Sequence, residues 1–103
     1  MDALDVQVER NLKGRELEKV GKVDEAIRLY ETNISENFDG NFPYDRLATI
    51  YRKRKDFQSE VRVLGKAVWV FENVVYRNRS DKSPKLQKFK DRLTKALVAA
   101  KRS

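Results

Sequence analysis

Apolar side chains recur every three to four residues along almost the whole chain, which is the spacing of a helix face and not of a strand. The clearest series is Val23, Ala26, Ile27, Tyr30 and Ile34, at positions i, i+3, i+4, i+7 and i+11. Only four glycines and two prolines interrupt 103 residues, so few breaks separate the segments. This pattern predicts an all-α fold of about five helices without strands.

Turn and cap signals divide the chain into these five segments. Turns are predicted at 21–22, 37–42 and 55–56, and a loop is predicted at 77–83. The helices should therefore cover about 4–20, 23–34, 43 to the turn at 55–56, 57–76 and 84–102. Ser83 is expected to cap the last helix, with Pro84 as its first residue.

The fourth segment, 57–76, needs a separate argument because its run of Val68, Trp69, Val70 and Phe71 favours a strand on propensity alone. Two interleaved apolar stripes at helical spacing, and a length far beyond that of a typical strand, favour a helix packed on two sides. We expect Trp69, Phe71 and Tyr76 to lie in the core. An exposed stripe that forms a homodimer interface through residues 61–76 is the alternative.

The composition excludes several kinds of site. The chain contains neither cysteine nor histidine, which removes disulfides, thiolate zinc sites and the usual catalytic base. It also lacks a glycine-rich phosphate loop, a nucleophile elbow and any lysine with an acidic residue two positions before it. We therefore expect no enzyme activity, no catalytic residues, no metal and no cofactor.

The same composition bears on location. No segment approaches the roughly 20 consecutive apolar residues of a membrane-spanning helix, and the start Met-Asp-Ala does not resemble a signal peptide. The sequence predicts a soluble, cytoplasmic protein without a membrane partner.

Charge is unevenly distributed. Residues 1–75 hold 13 Lys/Arg and 14 Asp/Glu, whereas residues 76–103 hold 10 Lys/Arg and only two acidic residues, Asp81 and Asp91. The net charge of +7 therefore belongs to the C-terminal quarter. Such a segment attracts nucleic acid, an acidic protein or an anionic membrane surface, or simply keeps a helix solvated.

One predicted helical pair aligns with the next when the chain is shifted so that Gly14 falls on Ala48. The same shift places Leu17 on Tyr51 and Tyr30 on Leu64. The size of this shift equals the period of the tetratricopeptide repeat, which is about 34 residues. The series Gly14, Gly21, Ala26 and Tyr30 resembles the small–glycine–alanine–aromatic series of that family, and the second unit matches it at Leu47, Ala48, Tyr51, Phe57, Leu64 and Ala67. Asn33 and Glu60 depart from the pattern, since the family has small residues there.

This resemblance implies a single domain, 1–103, in which a right-handed helical array is built from two degenerate repeats at about 7–40 and 41–74. The helix at 84–102 would then cap the array by covering the apolar face of 61–76. Its outer, solvated face is expected to carry Lys85, Lys88, Lys90, Arg92 and Lys95.

The resemblance also implies a concave groove, lined by the first helix of each repeat, that binds a peptide or a partner helix. The groove positions most suited to binding are Asn11, Arg15 and Glu18 in the first repeat and Asp45, Arg46, Thr49 and Arg52 in the second. The other groove positions are Val8, Lys19, Phe42 and Lys53. The lysine–asparagine clamp of some family members is not intact, so the arginines are expected to orient an acidic peptide.

The sequence thus predicts a protein–protein interaction module or adaptor. The alternative is a small basic nucleic-acid-associated protein that uses the C-terminal helix. Specific nucleic-acid binding is not expected, because no aromatic residue alternates with the cations Arg77, Arg79, Lys82 and Lys85 to stack on bases.

Overall fold

The computed structural model describes residues 2–75 and 79–102, and within these ranges the chain is all-helical. The helices are α1 (Ala3–Lys19), α2 (Val23–Ser35), α3 (Phe42–Lys53), α4 (Phe57–Asn73) and α5 (Lys82–Arg102). Each helix packs against the next one along the chain. The predicted all-α class and the five helices are confirmed. Within the described ranges, no helix combines the length and the apolarity needed to cross a bilayer.

The repeat period found in the sequence reappears in the backbone. α1 ends at Lys19 and α3 at Lys53, while α2 begins at Val23 and α4 at Phe57, so both boundaries recur after one period. The two turns between them also match in detail. Their left-handed residues are Gly21 (φ 82°) and Lys55 (φ 59°), which are again one period apart.

Both turns are Schellman motifs, which satisfy carbonyls at the end of a helix. In the first, Gly21 N–H donates to Glu18 O at 3.1 Å and Lys22 N–H to Leu17 O at 2.8 Å. In the second, Lys55 N–H donates to Arg52 O at 3.0 Å and Asp56 N–H to Tyr51 O at 2.9 Å. The repeated unit is therefore the same helix–turn–helix structure twice.

The core lies between the helices along the length of the array. Its largest fully buried side chains include Tyr30, Tyr44, Leu47, Leu64 and Phe71. Gly14 is also buried, and a Cβ atom at this position would lie 2.5 Å from Tyr30 Cε1. The small residue expected here is thus required by the close approach of the Tyr30 ring.

α5 packs on α4 through an aromatic cluster. The Phe89 ring lies 5.4 Å from the Phe71 ring and 6.3 Å from the Tyr44 ring, between centroids, and Ala96 is fully buried two turns later.

The predicted start of this helix is wrong by two residues. Ser83 lies inside the first turn instead of capping it. Pro84 is still accommodated there, because the first turn of a helix does not need its missing N–H.

The prediction that Trp69 lies in the core is also wrong, since 47% of its surface is exposed. The buried positions of α4 form one face that includes Val63, Ala67, Val70 and Phe71, and Trp69 lies to the side of it. Lys66 Nζ lies 5.0 Å from the centre of the Trp69 ring. Phe71 is buried as expected. Tyr76 and residues 77–78 of the predicted loop lie outside the described residues.

Two glycines in helices provide a matched test of the packing. Gly14→Ala should destabilise the fold by about 1–2 kcal/mol, because overlap with Tyr30 outweighs the higher helix propensity of alanine. Gly65→Ala should stabilise it by about 0.5–1 kcal/mol, because a Cβ there would meet no described atom within 4 Å outside its own helix backbone. Urea unfolding measures both free energies. Equal effects of the two substitutions would contradict the close packing around Gly14.

Candidate functional site

Two of the predicted groove residues, Glu18 and Arg46, bind each other. Arg46 Nη2 donates to Glu18 Oε1 at 2.6 Å and Arg46 Nε to Glu18 Oε2 at 3.1 Å. The Tyr30 hydroxyl donates to the same Oε2 at 2.6 Å. One carboxylate thereby joins α1, α2 and α3.

The protonation of this cluster follows from its contacts. Burial raises the pKa of Glu18, but the hydrogen bonds from Arg46 and Tyr30 outweigh burial, and the pKa lies below its ordinary value. Burial and the bond to Glu18 raise the pKa of Tyr30. Glu18 is therefore an ionised structural anchor at neutral pH.

A second cluster of the same kind joins α2, α3 and α4. Arg62 donates to Glu31 at 3.0 and 2.6 Å through its two terminal nitrogens, and the Tyr51 hydroxyl donates to Glu31 Oε2 at 2.6 Å. Burial, followed by the bond to Glu31, raises the pKa of Tyr51 to about 12. This cluster lies beside a cavity lined by residues of α2 and α4, whereas the predicted groove belongs to α1 and α3.

Asn11 lies in the wall of the groove but is almost fully buried. Its Oδ1 accepts a hydrogen bond from Asn33 Nδ2 at 2.8 Å. Asn33 also donates to the Gln7 carbonyl at 2.8 Å and accepts from Arg10 at 3.1 Å. Asn33 stands where the tetratricopeptide pattern has a small residue, and its donors and its acceptor are all hydrogen-bonded. The role of Asn11 shown here is to fasten α1 to α2.

One end of the groove is apolar. The α1 end holds a cavity of about 210 Å³, lined by Val8, Asn11, Leu12, Arg15 and Phe42. The Val8 and Leu12 side chains are 42% and 56% exposed. Leu12 was missed by the sequence reasoning, although it follows Val8 by four residues and so shares its face of the helix.

The other end is basic and lies between α3 and α5. Its cavity of about 350 Å³ is lined by Thr49, Arg52, Lys53, Glu60, Arg92 and Lys95. Arg92 Nη1 donates to Asp45 Oδ1 at 2.6 Å and Nη2 to Thr49 Oγ1 at 3.3 Å. The predicted residues Asp45, Thr49 and Arg52 thus lie together with two residues of α5.

The assignment of Arg92 to the outer face of α5 is wrong. Arg92 follows Phe89 by three residues and precedes Ala96 by four, and both of these are buried. That spacing places Arg92 on the packed side of the helix. The signal was present in the sequence, but the charge of the side chain favoured the solvated interpretation.

Glu60 forms part of the basic cavity and is the most unusual group in it. Its side chain is only 5% exposed, and the nearest cation, Arg52 Nη1, lies 3.6 Å from Oε1, which is too far for a hydrogen bond. Oε1 has no hydrogen-bond partner among the described residues. Burial raises the pKa of Glu60, and the charges of Arg52 and Arg92 only partly oppose this shift.

The two ends belong to one surface. Thr49 and Lys53 of the basic cavity also line a cavity of about 460 Å³ with Glu18 and Arg46. Arg15 precedes Glu18 by one turn of α1 and borders the apolar cavity. We call this continuous surface on α1, α3 and α5 the groove. Arg15, Lys53 and Lys95 form no ion pair with any described residue.

No three acidic side chains in the described part of the chain lie close enough together to hold a metal ion. Comparison of the chain with protein-family models, with curated proteins and with solved structures finds no match. The chemistry of the groove itself is the basis for assigning a function.

Removal of Arg46 should reveal its structural role. Arg46→Met should cost about 1–2 kcal/mol near neutral pH, because Glu18 loses two hydrogen bonds in a partly buried site. Because the pKa of Glu18 is lowered in the folded protein, its stabilisation is present above the ordinary glutamate pKa of about 4.3 and is lost as the pH falls further. The cost of Arg46→Met should therefore shrink below about pH 4. Arg15→Met, which removes an exposed and unpaired cation, is the control and should change stability by under about 0.5 kcal/mol.

Glu60 should show the opposite dependence on pH. Because the pKa of Glu60 is raised, the folded protein binds this proton more tightly than the unfolded chain does. The free energy of unfolding therefore falls as the pH rises from the unfolded pKa of Glu60 to its folded pKa. Glu60→Gln should stabilise the protein by about 1 kcal/mol near pH 7 and have little effect near pH 3.5. Glu25→Gln, on an exposed position of α2, is the control. A loss of stability in Glu60→Gln at pH 7 would show that its ion pair with Arg52 outweighs burial.

Proposed function

We propose that the chain is a protein-interaction module whose groove binds a segment of a partner protein that is apolar at one end and acidic at the other. One observation carries the proposal. The groove joins exposed aliphatic side chains on α1 to unpaired cations on α3 and α5. Such a surface complements an amphipathic helix or an extended peptide.

The apolar end supports this proposal through its shape. Leu4, Val8 and Leu12 stand four residues apart on one face of α1, and all three are exposed. Phe42 continues the surface on α3, where its ring packs edge-on against Tyr30 at 5.8 Å. Contiguous apolar surface beside a cavity is typical of a binding site.

The basic end supports it through charge. Lys53 and Lys95 line the same cavity without an ion-pair partner among the described residues, and Arg52 is about half exposed. Cations that are free of internal partners lose less on binding an acidic side chain than cations that must first break an ion pair.

The recurrence of helix ends and Schellman turns after one repeat period supports the resemblance to tetratricopeptide repeats, whose first helices line the binding groove. In this proposal α1 and α3 are those first helices, and α5 supplies an additional wall. A cytoplasmic adaptor would use such a groove without catalysis or cofactor.

Internal pairing weighs against the alternative of nucleic-acid binding. Four cations of the basic segment are neutralised within the fold: Arg79 by Asp39 and Asp81, Lys85 by Asp81, Lys90 by Glu72, and Arg92 by Asp45. The segment therefore presents much less free positive charge than its composition suggests. A phosphate backbone is held by accessible, unpaired cations.

A designed peptide tests the proposal. Its first half carries leucines and its second half glutamates, and its affinity is measured by fluorescence anisotropy. Leu12→Glu and Lys53→Glu should each weaken binding about tenfold, because they alter opposite ends of the groove. Lys101→Glu makes the same charge change near the end of α5, away from the groove, and should have little effect.

Duplex DNA supplies the contrasting probe. We expect weak binding that falls steeply with salt and responds to Lys101→Glu as much as to Lys53→Glu. Tight DNA binding near physiological salt, together with a peptide affinity that neither groove substitution changes, would replace the proposed function by the nucleic-acid alternative.

A further inference from the structure

The two terminal helices, α1 and α5, each present an apolar face to solvent. α2, α3 and α4 each pack against two helices, whereas α1 packs mainly against α2 and α5 mainly against α4. Of the eight large apolar side chains that are exposed in the described part of the chain, six belong to α1, to its C-terminal cap or to α5: Leu4, Val8, Leu12, Val20, Leu97 and Val98. We propose that α5 of one copy packs on α1 of a second copy, so that the chains associate head to tail.

The α1 face combines a stripe of aliphatic side chains with negative charge. Leu4, Val8 and Leu12 stand four residues apart and are all exposed. Asp5 and Glu9 flank this stripe on the neighbouring row of the helix. Both are exposed, and the ion pairs that α1 forms with described residues use other side chains. The face therefore offers apolar contact beside unpaired carboxylates.

The α5 face has the same character with the opposite charge. Leu97 and Val98 are both exposed, with Thr94 about one turn before them and Lys101 about one turn after them. The Thr94 hydroxyl donates to the Lys90 carbonyl at 3.1 Å, so its donor stays satisfied when a second copy covers it. Lys101 is exposed, and the ion pairs that α5 forms with described residues use other side chains.

Charge decides which face covers which. Residues 2–12 contain three acidic side chains and one cation, Arg10, which is bound to Glu36. Residues 94–102 contain three cations and no acidic side chain. Two α1 faces would repel each other, as would two α5 faces, whereas an α1 face attracts an α5 face. The contact is therefore heterologous, with a different surface from each copy.

An antiparallel alignment of the two helices matches both faces. Val98 then lies against Val8, and Lys101, about one turn later, lies beside Asp5, about one turn earlier. The contact continues the array, because α1 of the second copy takes the place of a sixth helix. Each copy in such a contact keeps one face free, so the chains extend further or close into a ring.

The contact is small and its attraction is local. It uses one helix from each copy, and interfaces of low area are weak. Each copy carries a net charge of +7, but at about 0.15 M salt exposed charges more than about 8 Å apart are largely screened, so the net repulsion does not cancel the adjacent opposite charges. Val8 and Leu12 also line the apolar end of the groove, so a second copy and a bound peptide would exclude each other there. The inference itself does not require the proposed function.

Sedimentation equilibrium of the full chain measures the association. At about 0.15 M salt the average mass should rise between about 10 µM and about 1 mM protein. Val8→Lys places a cation opposite the cations of α5, and Val98→Glu places an acid opposite the acids of α1, so each variant alone should remain monomeric. Val20→Lys changes an exposed apolar residue outside the contact and should associate like the wild type.

A mixture of the two variants tests the head-to-tail arrangement. Val8→Lys keeps an intact α5 face and Val98→Glu keeps an intact α1 face, so the two variants should form a complex when mixed although neither associates alone. A mixture that stays monomeric would overturn the proposal. Full association of either variant alone would do the same, because it would show that one kind of face pairs with itself or that another surface is used.

Amide NMR of the wild-type chain locates the contact without any variant. Signals of residues 4–12 and 94–101 should shift as the protein concentration rises. Shifts confined to residues 61–75 would overturn the proposal in favour of a homodimer through α4, and a chain that stays monomeric at about 1 mM would overturn it outright. Peptide binding that still depends on Leu12 and Lys53 in such a monomer would leave the proposed function intact.

Discussion

Two carboxylates, Glu18 and Glu31, hold the helical array together by joining three consecutive helices each. Each carboxylate accepts a hydrogen bond from a tyrosine of the next helix and two from an arginine of the helix after that. Apolar burial favours contact between neighbouring helices but fixes their relative positions weakly, whereas bidentate arginine pairs require a particular orientation. Glu18 acts beside the groove and Glu31 on the side of α2 and α4. The two helical pairs are therefore joined by hydrogen bonds on both sides.

This bonding explains which groove residues remain available to a ligand. Glu18 and Arg46 satisfy each other, Asn11 is bonded to Asn33, and Asp45 is bonded to Arg92. These residues shape the groove, and in the proposed function their internal hydrogen bonds lower the entropic cost of binding because fewer side chains must be ordered. In the proposed function, a partner would contact what these residues leave unpaired: aliphatic side chains on α1, and cations between α3 and α5.

The sequence predicted local structure much better than it predicted pairing. Helix ends at Lys19 and Lys53 follow from turn residues and periodicity, which act over a few positions, and the small size of residue 14 follows from the repeat. Arg92 and Trp69 were placed wrongly because their environment depends on how α5 and α4 pack. The exposure of Trp69 depends on whether a neighbour covers it, and no pattern within α4 contains that information. The spacing of Arg92 from Phe89 and Ala96 did indicate the packed side of α5, but its partner Asp45 lies 47 residues away along the chain, so the ion pair could not be predicted.

Glu18 and Glu60 show how the same side chain acquires opposite behaviour within one small fold. Hydrogen bonds from Arg46 and Tyr30 keep Glu18 ionised below its ordinary pKa, whereas burial without a hydrogen bond to Oε1 raises the pKa of Glu60. As the pH falls, Glu60 therefore gains its proton before the anchors Glu18 and Glu31 gain theirs, since the pKa of Glu31 is lowered as well. Over that interval the basic cavity loses the negative charge of Glu60, while both anchors stay ionised. The charge of the candidate site can thus change without loosening the scaffold, because the scaffold carboxylates are hydrogen-bonded within the fold, whereas Glu60 Oε1 is buried without a hydrogen-bond partner among the described residues.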